Sequence, residues 1–218
     1  GVLCARILLE TGTEAQKKAL LPGIASGERV FALAMTEVAY GWTPDRIAMQ
    51  ANKQGGDYVL SGTKVFVHDA MFATDLLVVA GMEGTDGKTA GPSLFRVDAK
   101  APGIAIRNLE GFITGMSEVT FKDVKVAGSD LIGSAGAIWE GMEKGMRAAI
   151  PVLCAYKVGG CRRVWEMSLD YAAERRQFGQ VIGRFARVQE HIIQIVNHLD
   201  AARWTTYEAL WKLDSGMA

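Results

Sequence analysis

The spacing of apolar and polar positions changes character twice along the chain. Residues 1–29 carry helical spacing, with Leu20, Leu21 and Ile24 as apolar positions. Thr11-Gly12-Thr13-Glu14 fits a capping box in which Thr11 is the N-cap and Glu14 reaches back to its N–H, and Pro22-Gly23 are expected to break the helix. From Val30 the pattern becomes short runs rich in Val, Ile, Phe and Thr: Val30 to Met35, Ile47 to Gln54, Tyr58 to Ser61, Val65 to Val67, Leu76 to Ala80, Ser93 to Val97, Ile104 to Ile106 and Val119 to Phe121. Gly55-Gly56-Asp57 reads as a turn between two of them, and Gly84 to Gly91 as a polar, Gly-rich loop. Strands this closely spaced, with no helices between them, predict a sandwich or barrel. After Gly133 the helical period returns, through Trp165, Leu169 and Ala172 and then Ile192, Ile195, Val196, Leu199 and Ala202. Two long helices alone leave much of their apolar faces uncovered, so their partners are expected from further sequence or from another subunit.

Composition narrows the function classes. The 218 residues carry 24 Lys+Arg against 24 Asp+Glu, so there is no basic surplus to meet a nucleic-acid backbone, and nucleic acid is not an expected partner. No apolar run approaches the roughly 18–20 residues of a membrane span; Leu76 to Ala80 is strand-sized. Cys154 and Cys161 lie seven apart in a helical segment, about 10 Å along its axis, and cannot pair there; with Cys4 they make three thiols, which favours a reducing compartment. His191 and His198 are also seven apart, too far for a helical metal pair, and no metal site is expected. The opening Gly1-Val2-Leu3-Cys4-Ala5 has neither an initiator Met nor a signal-peptide layout, so the chain is expected to lack its true start.

Four segments in order then carry a resemblance. They are Gly12 to Lys18, continuing through Leu21-Pro22, Gly27-Glu28 and Ala34-Met35-Thr36-Glu37; Leu60-Ser61-Gly62-Thr63-Lys64-Val65-Phe66-Val67 followed by Ala73 to Leu76; Pro102-Gly103-Ile104, Glu118 to Val126 and Leu131-Ile132-Gly133; and Tyr171-Ala172-Ala173-Glu174-Arg175-Arg176-Gln177-Phe178-Gly179-Gln180 with Ile182, Phe185 and Gln189 behind it. Taken together, over nearly the whole chain, they resemble the acyl-CoA dehydrogenase family of flavoproteins. The resemblance implies an α+β subunit: the end of an N-terminal helical domain at 1–29, a middle β-barrel or sandwich domain at 30–133, and the first half of a C-terminal four-helix bundle at 134–218 that builds a tetramer core. It implies FAD as cofactor, an acyl-CoA substrate oxidised to the 2,3-enoyl thioester, an electron-transfer flavoprotein or similar acceptor, a homo- or hetero-oligomer, and a place in the cytoplasm of a bacterium or in the mitochondrial matrix.

Site residues follow from the same resemblance. Leu33, Met35 and Thr36 match the strand that hydrogen-bonds the pyrimidine edge of the flavin, and Phe66, Val67 and His68 the turn against its ring. His68 stands where many relatives carry a Thr, and either reshapes the flavin environment or points away from it. Arg175, Gln177 and Phe178 match the element that reaches a neighbouring subunit's FAD; a guanidinium suits a pyrophosphate because its planar fork donates two parallel charge-assisted bonds. Arg176 reads as a solvated basic residue at a helix end. The chain departs from the pattern at Gly41-Trp42-Thr43, where the family has Gly-Ser-Asp, which implies a smaller or differently shaped substrate pocket, and at Ile150, Ala149 and Ala186, where relatives carry a CoA-contacting Arg, a catalytic Glu in one subgroup, and an FAD-contacting Gln. The catalytic base is expected beyond residue 218, with Glu37, Glu140, Glu143 and Glu166 structural or solvated. Two other readings share the fold: an FAD-binding partner subunit without a base, and a flavin monooxygenase.

Overall fold

The computed structural model describes residues 1–83, 89–111 and 115–217. Its described part divides into two compact units, Gly1–Met146 and Arg147–Ala218.

The first unit opens with α1 (Val2–Thr11) and α2 (Glu14–Ser26). Thr11 belongs to α1 and spends its hydroxyl on the Ile7 carbonyl (2.7 Å), so the α2 cap falls two residues later than the sequence pattern suggests. Thr13 is the N-cap, and its reciprocal partner is Gln16, whose side chain accepts from the Thr13 N–H at 3.0 Å. The same Gln16 amide donates to the Leu131 carbonyl (2.7 Å) and accepts from the Gly133 N–H (3.1 Å), tying α2 to the far end of the β-region. Pro22 does not break α2. Leu20 is buried, and Leu21 and Ile24 pack against the same cluster on either side of the proline; that packing outweighs the ~3 kcal/mol an internal proline costs. The stop comes at Gly27, which takes a left-handed φ of 80° and donates its N–H to Ile24.

Eight strands follow: β1 (Phe31–Ala34), β2 (Gln50–Gln54), β3 (Asp57–His68), β4 (Asp75–Glu83), β5 (Thr89–Asp98), β6 (Ile104–Asn108), β7 (Met116–Val126) and β8 (Leu131–Ile132). They form one sheet in the order β6-β7-β3-β2-β4-β5-β8, with β1 parallel to β4 in the register Phe31 opposite Asp75. This path does not close, so of the two expected forms, sandwich or barrel, no closed barrel is formed among the described residues. The runs Tyr58 to Ser61 and Val65 to Val67 prove to be one long strand, because Gly62–Lys64 continue the pairing with β7. The run expected from Ile47 begins only at Gln50, behind a short 3-10 turn at Pro44–Arg46. Of the loop expected at 84–91, Thr89 to Gly91 belong to β5, and 84–88 lie outside the described residues.

β4 explains the core. Leu76 to Ala80 is an unbroken apolar run, fully buried on both faces. Alternation sends Leu76, Val78 and Ala80 into a cluster with Leu60, Phe95, Val119 and Phe121 on one side, and Leu77 and Val79 into a second cluster on the other. That second cluster is completed by Cys4, Ile7, Leu8 and Leu20 from α1 and α2, and by Ile138 and Met142 at the start of the next helix.

That helix, α3 (Trp139–Glu174), runs on into the second unit. There a two-stranded hairpin, β9 (Arg176–Gln177) and β10 (Gln180–Val181), leads to α4 (Ala186–Asp214). Within this unit Val164, Met167, Tyr171, Ile193, Trp204, Tyr207 and Trp211 are exposed, as expected for two long helices without their bundle partners. No helix among the described residues is long and apolar enough to cross a membrane.

Candidate functional site

In the first unit the expected flavin-facing residues gather where the chain leaves β1 and where β3 bulges. Between Lys64 and Val67 the register against β7 gains one residue on β3, since Lys64 faces Val119 while Val67 faces Ser117. The bulge throws Phe66 into the left-handed region at φ 55°, and leaves the residue 51% exposed, with its ring beside that of Tyr40 (6.4 Å, edge-on). Tyr40 is itself left-handed at φ 48°. Val67 points the other way and is buried, whereas His68, the last residue of β3, is exposed opposite Met116. Trp42 is exposed in the loop that also holds Tyr40, next to half-buried Gly41.

Leu33 and Thr36 are half-buried, and Met35 is buried. The Val65 N–H donates to the Thr36 carbonyl (2.9 Å), joining the continuation of β1 to the first residue of the bulge. The Thr36 hydroxyl has no hydrogen-bond partner among the described residues.

Behind this surface lies a feature the motif reading passed over. Lys64 is completely buried at 0% exposure and Glu37 is 8% exposed. The Lys64 Nζ donates to Glu37 Oε1 (2.6 Å) and to the Met35 carbonyl (3.1 Å), while the Glu37 carboxylate accepts from the Ala48 N–H (2.9 Å) and the Met49 N–H (3.0 Å). Burial draws the Lys64 ammonium below its usual range, and the hydrogen bond and charge of Glu37 oppose that pull. Period-2 alternation from Leu60 puts Lys64 on an inward position, and an inward lysine in a strand demands a buried acceptor; that was the available signal.

The remaining expected residues lie in the second unit. Arg175 follows α3 directly; its N–H donates to the Tyr171 carbonyl (2.9 Å) and its carbonyl accepts from Ile182 (2.8 Å), so its backbone is held from both sides. Its exposed guanidinium makes no ion pair among the described residues. Arg176 and Gln177 are exposed on β9, so Arg176 sits in a strand rather than at a helix end. Phe178 and Gly179 form the tip at φ 51° and 81°, with Phe178 91% exposed and edge-on to Phe185.

The donor set suits FAD. A planar ring system calls for flat apolar walls, which Phe66 and Tyr40 present, and for polar groups at its edge, which Thr36 offers. A pyrophosphate calls for an unpaired guanidinium, which Arg175 supplies. Of the acids considered above, Glu37 is committed to Lys64 and two amides, Glu140 pairs with Lys144 (2.7 Å), Glu166 pairs with Arg162 (3.0 Å), and Glu143 is likewise engaged. Among the described residues no cluster of His, Cys, Asp or Glu could hold a metal ion.

Residues 32–124 match the family model described as acyl-CoA dehydrogenase, middle domain, and residues 139–218 that of acyl-CoA dehydrogenase, C-terminal domain. The L-prolyl peptidyl-carrier-protein dehydrogenase of a Serratia species is 32% identical, the match covering 98% of this chain and 57% of that protein. The caffeyl-CoA reductase-Etf complex subunit CarC of Acetobacterium woodii is 28% identical, over 95% of this chain and 56% of its own. Among solved structures, a glutaryl-coenzyme A dehydrogenase with glutaryl-CoA superposes with a TM-score of 0.86 at 29% identity, covering 98% of this chain and 55% of that one. The chain thus spans little more than half the length of each of these relatives. Two family models in succession, with a shared fold across both units, establish that the chain belongs to the acyl-CoA dehydrogenase family.

Proposed function

We propose that this protein is an FAD-dependent dehydrogenase that oxidises an acyl thioester, most directly an acyl-CoA, to its 2,3-enoyl product. The observation that carries the reading is an exposed, left-handed Phe66 with its Tyr40 neighbour, on a bulge whose first residue, Val65, is bonded through its N–H to the carbonyl of Thr36, whose hydroxyl has no partner among the described residues. Bound FAD would supply the acceptor for the hydride leaving the β-carbon. Phe66 and Tyr40 would exclude water from the flavin face, and a drier site strengthens every polar contact that polarises the thioester. Backbone groups of Leu33, Met35 and Thr36, with the Thr36 hydroxyl, would hold the polar edge of the ring. Val67 anchors the bulge in the core, and His68 follows it, exposed, as the last residue of β3. Trp42 and Gly41 would border the acyl group, the indole narrowing that side.

Arg175 would pair with a pyrophosphate, and Gln177 and Phe178 would meet the adenine half, on the FAD of a neighbouring subunit in a tetramer. By the family resemblance, the base that removes the α-proton would lie on a later helix, outside residues 1–218, and Glu37, Glu140, Glu143 and Glu166 are engaged with other partners. An electron-transfer flavoprotein or similar acceptor would reoxidise the flavin, a reading supported by the relative from an Etf complex. Three free cysteines accord with a reducing compartment.

The test is anaerobic titration of the full-length protein, purified with its flavin, against short, branched, aromatic and alicyclic thioesters presented on CoA and on a carrier protein. Bleaching of the flavin band by one of them is the expected result. A flavin that stays oxidised through the whole panel overturns the dehydrogenase reading, and bleaching only after a second homologous chain is added makes this chain the partner subunit instead.

A further inference from the structure

We infer that the buried Glu37–Lys64 pair is a positioning clamp that fixes the backbone of Met35–Thr36 and the Phe66 bulge for the flavin. The inference rests on the FAD reading above. A lysine with no exposed surface is rare, and an apolar pair of similar volume would fill the same core without the cost of burying two charges. What an apolar pair could not do is hold backbone. The Lys64 Nζ reaches the Met35 carbonyl at 3.1 Å, and Glu37 gathers the Ala48 and Met49 amides at 2.9 and 3.0 Å. Residues 35–49 carry no strand of their own and only a short 3-10 turn at Pro44–Arg46, so this carboxylate stands in for the missing ladder.

The geometry joins three segments that bear every first-unit residue assigned to the site. Glu37 lies one residue beyond Thr36 and three before Tyr40. Lys64 is the last regular pair with β7 before the bulge that turns Phe66 outward. The Thr36 carbonyl accepts from Val65, the residue between Lys64 and Phe66. Lys64 and Glu37 lie behind the site and act through the backbone they hold.

The experiment compares the full-length wild type with the double variant Glu37→Leu/Lys64→Met, which leaves no buried charge unpaired. FAD affinity is read by fluorescence titration, and hydrogen exchange is read at the amides of Ala48, Met49 and Val65 before FAD is added. The double variant is expected to fold, to lose protection at those three amides, to bind FAD about 10- to 100-fold more weakly, and to lose the resolved shoulder of the bound-flavin absorption band. If the double variant does not fold, Glu37→Gln replaces it, keeping the volume but presenting an amide group to one of the two backbone N–H donors; the same losses are expected there. Wild-type affinity and band shape in a folded variant overturn the clamp alone. A wild type that takes up no FAD overturns the cofactor reading and the clamp's role with it.

Discussion

Phe66 stands in a backbone region that a β-carbon disfavours by about 1–2 kcal/mol, and its half-exposed ring recovers little of that through burial. A residue kept there solely for packing would have been replaced by glycine at small cost, whereas an aromatic that must face a ligand would not. Phe66→Gly separates the two. Glycine relieves the left-handed strain but adds unfolded-state freedom, so stability without FAD should change by less than about 1 kcal/mol, as read by urea unfolding. A packed core phenylalanine would instead cost about 3–5 kcal/mol. FAD affinity should fall about 2- to 10-fold, the worth of one aromatic contact. A large loss of stability with unchanged FAD affinity would return Phe66 to the core and remove it from the site.

At the level of elements the hairpin between β9 and β10 makes a comparable case. Both tip residues take positive φ, the geometry of a turn that favours Asn-Gly, yet the first is Phe178. Arg175, braced at the hairpin base, should contribute a charge-assisted bond to FAD, so Arg175→Ala should weaken FAD retention about tenfold or more, while Arg176→Ala on β9 should change it less than about twofold. Equal flavin content after gel filtration of the two variants would refute the assignment. How far these elements were legible varies with where their causes lie. The run Leu76 to Ala80 was legible as a strand, and its burial on both faces has its cause in the same five consecutive apolar residues, which leave no polar face. Thr13 was masked by Thr11, which is one residue inside the preceding helix, and the passage through Pro22 depended on what Leu20 and Ile24 meet in three dimensions. The bulge at Phe66 could not be read from β3 at all, since an extra residue is defined only against the register of β7. Lys64 was readable in principle as an inward lysine, but its acceptor lies 27 residues upstream and only the fold brings it within 2.6 Å. The motifs proposed a set of site residues; the contacts that hold their backbone are distributed over positions distant in sequence.

For the molecule as a whole, the sheet's second face is closed by α1, and the seam contains a thiol that links global stability to pH. Cys4 is buried, with its Sγ donating to the Phe31 carbonyl at 3.4 Å, and burial pushes its pKa from the ordinary 9.0 up to about 12. Unfolded, the thiol releases its proton near 9.0; folded, it keeps it to about 12. Between those values the native state holds the extra proton, so the contribution is complete below pH 9 and is lost progressively as pH rises toward 12. Lys64 acts with the opposite sign, because its folded pKa lies below its usual 10.5 and the unfolded state holds the extra proton there. The two contributions are separated by difference. Cys4→Ala lowers stability by a cavity cost that does not depend on pH, while it removes the thiol's slope. Urea unfolding of both proteins at pH 8 and pH 10 should show the wild type losing about 1.4 kcal/mol more than Cys4→Ala between the two conditions. Alkylation under native conditions should modify exposed Cys161 and leave Cys4 unmodified until the protein unfolds. A gap between the two slopes below about 0.3 kcal/mol, or ready alkylation of Cys4 in the folded protein, would mean that α1 does not seal this face of the sheet, since a thiol reached by water would titrate alike in both states.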